Sequence, residues 1–430
     1  MRLAAIWRIA RAVGPAAALA VGLAGCETLQ SGANPEVPLW VHRPGGAMKV
    51  MLHRPLTAPS RISGEEYERG RPEIDPIGKR VFVGSSDHGL YALRADTGER
   101  LWRFETLAPV QSEPLYERAE DAVYFGSNDG ALYKVAALDG RLVWRFMSNA
   151  EVSRRPVVMN GFVYFVNAND TVIAAEPATG RLRWAQHRSP AMGMEVAGYA
   201  GPLVTADSVF VAFSDGHVAA YDPRDGSEKW PPVDLSAEAE HALGELPRYL
   251  DVDTTPVLGT IRSERVIYVA SYAAGVFALD AQSGNRVWAN DRAAGVTDLV
   301  LWQEPAHPPR DGKGPLLRAR SLLLASSGTT GLWALSPLDG REIWRRSLPE
   351  GGVSEPVPVA GALLVSTTRY GLFMFSPLDG GLIDGVDLSG GLSMAPAAMG
   401  HRAFVLSNVG TLLGIYVDSP RPLVDVWRPL

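Results

Sequence analysis

Two aspartates stand two apart in the segment Leu250-Asp251-Val252-Asp253-Thr254-Thr255-Pro256-Val257. In an extended chain that spacing puts both carboxylates on one face, where paired like charges suit a basic partner or a metal ion. A solvated loop whose carboxylates accept backbone N–H groups fits the same residues. Met192-Gly193-Met194-Glu195 repeats the spacing with flexible thioethers, which adapt to a protein partner and fill a core equally well. Other chemistry is thinly represented. The eight histidines fall at 42, 53, 88, 187, 217, 241, 307 and 401, none three to five residues from another, so a local zinc motif is missing. There is no Gly-x-Ser-x-Gly elbow and no Walker A loop. The single cysteine, Cys26, excludes an internal disulfide and a Cys-rich metal site. The expectation is a non-enzymatic binding protein with no catalytic residue, no cofactor, no metal and no small-molecule substrate.

Cys26 itself has a setting. Arg2, Arg8 and Arg11 form a basic start, Val13 to Leu23 is a short apolar run, and Leu23-Ala24-Gly25-Cys26 follows. An apolar run this short reads as a signal peptide and not a membrane span, which needs about 20 residues. The small residues before the cysteine resemble a bacterial lipobox, which implies that Cys26 is acylated and becomes the mature N-terminus. Each buried acyl methylene contributes about 0.8 kcal/mol, so several chains (palmitate among them) make a stable anchor. Glu27 stands where enteric lipoproteins retained in the inner membrane carry Asp, which directs the expectation to the periplasmic face of the outer membrane. Residues 27–38 are polar and turn-rich, a flexible tether.

Net charge is −6 over the chain; beyond residue 26 it is −9, from 38 basic and 47 acidic side chains. Such a surface repels phosphate backbones, so nucleic acid is not an expected partner.

The elements that position these residues are written as a repeat. Val81-Phe-Val-Gly-Ser-Ser-Asp-His-Gly-Leu-Tyr-Ala-Leu-Arg-Ala-Asp-Thr-Gly-Glu-Arg-Leu-Trp102 returns as a unit ending at Trp144, and again at Trp184, Trp230, Trp288 and Trp344. Gly98, Gly140, Gly180, Gly226, Gly284 and Gly340 each precede the Trp by four residues. A seventh copy keeps Gly380 but has Asp384 in place of Trp, and an eighth stops at Tyr416. Each unit alternates β-branched and aromatic residues around Gly-bearing turns, the pattern of short hairpin-linked strands. One such sheet cannot bury both faces alone, and a ring of neighbours solves this. Regular placement makes the six Trp residues structural and not a ligand box.

The Trp residues are separated by 42, 40, 46, 58 and 56 positions, so the last two intervals carry insertions. Val233–Leu250 is one, with a short helix expected over Glu238–Glu245; Gln303–Leu316 is the other. The fold expected is all-β: an eight-bladed β-propeller of four-stranded antiparallel blades over residues 39–430, its last blade closed by an N-terminal strand, Pro38-Leu39-Trp40-Val41.

With its Gly turn and terminal Trp, the repeat resembles the quinoprotein-type propeller repeat over residues 80–417, in which the Trp docks between blades. Within that superfamily the lipobox, tether and eight blades look like the BamB family of scaffold lipoproteins in outer-membrane β-barrel assembly. The Asp-Val-Asp-Thr-Thr-Pro run at 251–256 is similar to that family's segment between the fourth and fifth blades. The resemblance implies that Asp251 and Asp253 contact a BamA-like barrel-assembly subunit. A family Leu-x-Leu-Arg patch falls on Met192, Met194 and Glu195, with the charge reversed at Glu195. Other extracytoplasmic propellers, sensing or scaffolding, fit the same repeat. Quinoprotein dehydrogenases use a vicinal cysteine pair, which a chain with one cysteine lacks.

Overall fold

The computed structural model describes residues 46–56, 67–190, 200–237, 251–307, 318–348, 351–388 and 390–419. Among them the chain folds into eight four-stranded antiparallel sheets arranged as the blades of a β-propeller. In the first seven blades the strands are consecutive in sequence, and the first lies innermost, against its counterparts in neighbouring blades. These innermost strands begin at Glu73, Leu115, Val157, Leu203, Val257, Val296, Val357 and Ala397.

The middle strands are buried on both faces. Ala122–Gly126 and Phe162–Asn167, for example, are almost wholly enclosed, which is why they read as apolar runs and not as strict alternation. Their side chains meet across the seams between blades. One cluster joins Phe82 and Leu90 of the first blade to Val123, Phe125 and Tyr133 of the second, and another joins Phe210 and Trp230 to Ile267 and Phe277. The core is a ring of such seams.

A single device recurs at six of them. The indole Nε1 of Trp102, Trp144, Trp184, Trp230, Trp288 and Trp344 donates to a turn carbonyl of the following blade, at 2.8–3.5 Å. The glycine three residues past that carbonyl lies against the ring: a Cβ on Gly226 would sit 2.6 Å from Trp184. That glycine also has φ +74, so both backbone conformation and space exclude a side chain.

The eighth blade takes its outermost strand from the N-terminal side, but the strand is Met48–Pro55 and not Pro38–Val41, which lies outside the described residues. Met48–Pro55 pairs antiparallel with Thr411–Val417. Most of its residues are exposed, so it lacks the alternating pattern by which a strand is recognised.

Antiparallel order fixes two rims. One carries the turn between the third and fourth strand of each of the first seven blades, with its glycine. The other carries the blade-to-blade connections, so the strands ending at His187 and Asp234 and those beginning at Leu203 and Val257 all meet it. The strand ends flanking the two expected insertions face opposite rims, because those of the second belong to the first hairpin of the sixth blade, Val296–Glu304 with Arg320–Ser327. Val233 and Gln303 still belong to strands, and the helix expected at 238–245 falls outside the described residues.

Candidate partner-binding rim and axial ion pairs

On the connection rim, short segments lead into the innermost strands and mostly end in proline: Gly70-Arg71-Pro72, Ser112-Glu113-Pro114, Arg154-Arg155-Pro156, Thr254-Thr255-Pro256 and Ser354-Glu355-Pro356. Proline suits the start of an unpaired strand edge and holds the residue before it extended. The charged residues so placed meet over the ring axis. Arg71 pairs with Glu113 at 3.2 Å and with Glu355. Arg154 pairs with Glu113 at 3.3 Å, lies 3.9 Å from Asp298, and donates from Nη2 to the Asp253 carbonyl oxygen at 3.3 Å. Asp298 follows a bulge in its strand, between Val296 and its neighbour, which re-aims it. The network therefore ties together the first, second, third, fifth, sixth and seventh blades.

Electrostatics separates its members. Burial alone would raise the pKa of Glu113, but Arg71 and Arg154 hold it below the ordinary range. Burial pushes Asp298 up to about 6, with Arg154 opposing. Asp253 is pushed up to about 8, by burial first and Asp251 second.

Asp251 and Asp253 are not an exposed acidic edge. They are 1% and 4% exposed, in an irregular connection and not a strand. The reason is the stitching of this segment: Tyr272 N–H donates to the Asp251 carbonyl at 3.0 Å, and Val252 N–H to that of Phe213 at 3.3 Å. The Val252 side chain enters the seam between the fourth and fifth blades, and Thr254 Oγ1 bonds both the N–H and the carbonyl of Ala270. With Val252 held in the seam, the Asp253 carboxylate is enclosed near Asp251, Arg154 and Asp298. Met192, Met194 and Glu195 lie outside the described residues, as does Cys26. The stretch containing the first three starts and ends on the same rim as Asp251, and Gly201 N–H donates to Thr255 Oγ1 at 2.8 Å.

Sequence reasoning passed over Arg71, Glu113, Arg154, Asp298 and Glu355. The signal was available for three of them: Arg71, Glu113 and Glu355 each stand immediately before a proline opening a repeat unit. Among the described residues, no three His, Cys, Asp or Glu side chains gather as a metal site.

Comparison with known proteins decides the family. The model of the family described as outer membrane protein assembly factor BamB matches residues 86–337 and 328–419. The chain belongs to the BamB family. The BamB protein of Legionella pneumophila is 27% identical over 229 residues, an alignment covering 53% of each chain, so the match spans about half of that relative. Among solved structures, BamB from Moraxella catarrhalis superposes with a TM-score of 0.64 at 16% identity, over 84% of this chain and all of that one. Quinohemoprotein alcohol dehydrogenase from Comamonas testosteroni gives 0.61 at 14% identity, over 87% of this chain and 77% of that one. At such identities both likenesses speak for the propeller alone.

Proposed function

We propose that the protein is a non-catalytic scaffold lipoprotein of outer-membrane β-barrel assembly. Cys26 carries the lipid, the ring hangs on the periplasmic face of the outer membrane, and the connection rim binds a periplasmic domain of a BamA-like subunit. Membership of the BamB family, whose model matches residues 86–337 and 328–419, carries this reading.

Within the rim, Met192, Met194 and Glu195 are the contact residues. Because Asp251 and Asp253 are buried, they act indirectly, setting the shape of the segment that leads to Pro256, and a partner reads that shape. The hydrogen bond from Gly201 to Thr255 supports this division, because it joins the base of one loop to the other.

The test is a detergent pull-down of the tagged, lipidated protein from envelopes, followed by mass spectrometry. Wild type should bring down the barrel-assembly subunit, and the Met192→Ala/Met194→Ala/Glu195→Ala variant should lose it while keeping the wild-type unfolding midpoint. A wild type that recovers another complex, or none, removes the assembly role. Replacing Cys26 with Ser should move the protein to the soluble fraction.

A further inference from the structure

The axial network holds more negative than positive side chains. Arg71 and Arg154 serve Glu113, Asp298 and Glu355, and Asp253 lies beside them. Two carboxylates are thus left over however the pairs are drawn. The neighbouring Arg155 is taken by Glu73 at 2.7 Å. Asp253 is the member most clearly left out, since it is 4% exposed and, among the described residues, neither carboxylate oxygen accepts a hydrogen bond. Arg154 opposes this electrostatically, but its guanidinium is shared with Glu113 and Asp298 and hydrogen-bonds the Asp253 carbonyl, not the carboxylate.

The charged groups facing Asp253 are otherwise acidic. Asp251 comes from its own segment, Asp298 from the sixth blade, and Asp170 from a turn of the third. Asp170 already takes the N–H and hydroxyl of Ser214.

A buried carboxylate without donors is strongly disfavoured as an anion. Either a cation or a proton relieves it. A metal needs several converging ligands, and no three acidic or imidazole groups gather here among the described residues. A proton needs only the oxygen.

We propose that Asp253 is a proton-binding site of the native ring, and that its ionisation loosens the Asp251–Pro256 segment on the connection rim. The rim is tight when Asp253 is neutral. Once ionised, Asp253 repels Asp251 and Asp298, and this repulsion works against the stitches that hold the segment to Phe213, Tyr272, Ala270 and Gly201. Consequences for a partner rest on the assembly reading; the titration does not.

The sign of the linkage follows from the raised pKa. Asp253 titrates near 8 in the ring against 3.8 for an ordinary aspartate, so the native state keeps a proton that the unfolded chain releases. Its stabilising effect is complete below about pH 4 and is lost as pH rises towards 8. Asp298 adds to the same fall up to about 6. Glu113, lowered, acts in the opposite sense and only in acid.

The experiment measures unfolding midpoints of the full mature chain between pH 5 and 9, for wild type, Asp253→Asn and Asp298→Asn. Wild type should lose stability steadily up to pH 8, and Asp253→Asn should flatten most of that fall above pH 6. Parallel curves overturn the proposal. So does a midpoint at pH 8 that Ca²⁺ or Mg²⁺ raises in wild type but not in Asp253→Asn, which assigns the site to a metal. Should Asp253→Asn not fold, amide exchange of wild-type Val252 and Tyr272 decides. Their protection, corrected for intrinsic base catalysis, should fall at least tenfold from pH 6 to 9; unchanged protection refutes the idea. None of these readouts involves a partner, so they fail or succeed apart from the pull-down.

Discussion

Six seams of the ring are sealed by a tryptophan resting on a glycine, and the two seams flanking the eighth blade are not. The difference comes from where the strands originate. A Trp needs the third-to-fourth-strand turn of the next blade, both for the carbonyl that accepts its N–H and for the glycine beneath its ring. The eighth blade has no such turn, because its fourth strand arrives from the N-terminal side. In the seventh blade Trp is accordingly replaced by Asp384, 2% exposed, whose Oδ2 accepts the Met48 N–H at 2.8 Å. On the other side, Leu52 takes the Trp register opposite Gly414 and rests against Gly98. A cleft of about 170 Å³ lies beside it, lined by Leu52, Phe404 and Tyr416. Before the eighth blade the Trp is lost together with its receptor; after it the receptor Gly98 remains but meets Leu52.

This contrast can be broken from either side. Trp184→Ala removes a 7% exposed ring and its bond to Pro223, and should cost about 3–5 kcal/mol in denaturant unfolding. Gly226→Ala attacks the receptor side of the same seam, forcing a methyl against Trp184 at positive φ; a loss of about 2–3 kcal/mol is expected. At the closing seam, Asp384→Ala leaves the Met48 N–H without its acceptor and should cost about 1–3 kcal/mol. Hydrogen exchange should rise first in Met48–Pro55, whereas in Trp184→Ala it should rise in the third and fourth blades. Leu52→Trp sharpens the comparison most gently. If the closing seam lacks only ring volume, the cleft accepts the indole and the midpoint rises by up to about 1 kcal/mol equivalent. A clear fall would mean that Leu52 and Arg54 pack Gly98 in a manner of their own.

Legibility followed the range of the interactions. Trp and Gly occupy fixed positions one unit apart, so their contact is repeated down the chain and the propeller could be read from spacing. Asp384 stood out in sequence as a lost Trp, yet its partner Met48 is far away along the chain, and nothing local names it. Asp251 and Asp253 were visible as a motif, but their burial depends on Phe213, Ala270 and Tyr272 closing around the segment. The axial network was least visible of all, since Arg154 meets Asp298 only after the ring has brought the third and sixth blades face to face.

The borrowed strand of the eighth blade also sets an order of events during synthesis. Among the described residues, Met48–Pro55 is the first of the ring's strands to leave the ribosome, and Thr411–Val417, the strand it pairs with, is the last. Contacts so distant in sequence form late, after nearer ones. A chain broken off before Thr411 can stack blades but cannot join the ends, and its first strand is left with an open edge. Closure therefore acts as a completeness check on the ring's strands, passed only once Thr411–Val417 has been made.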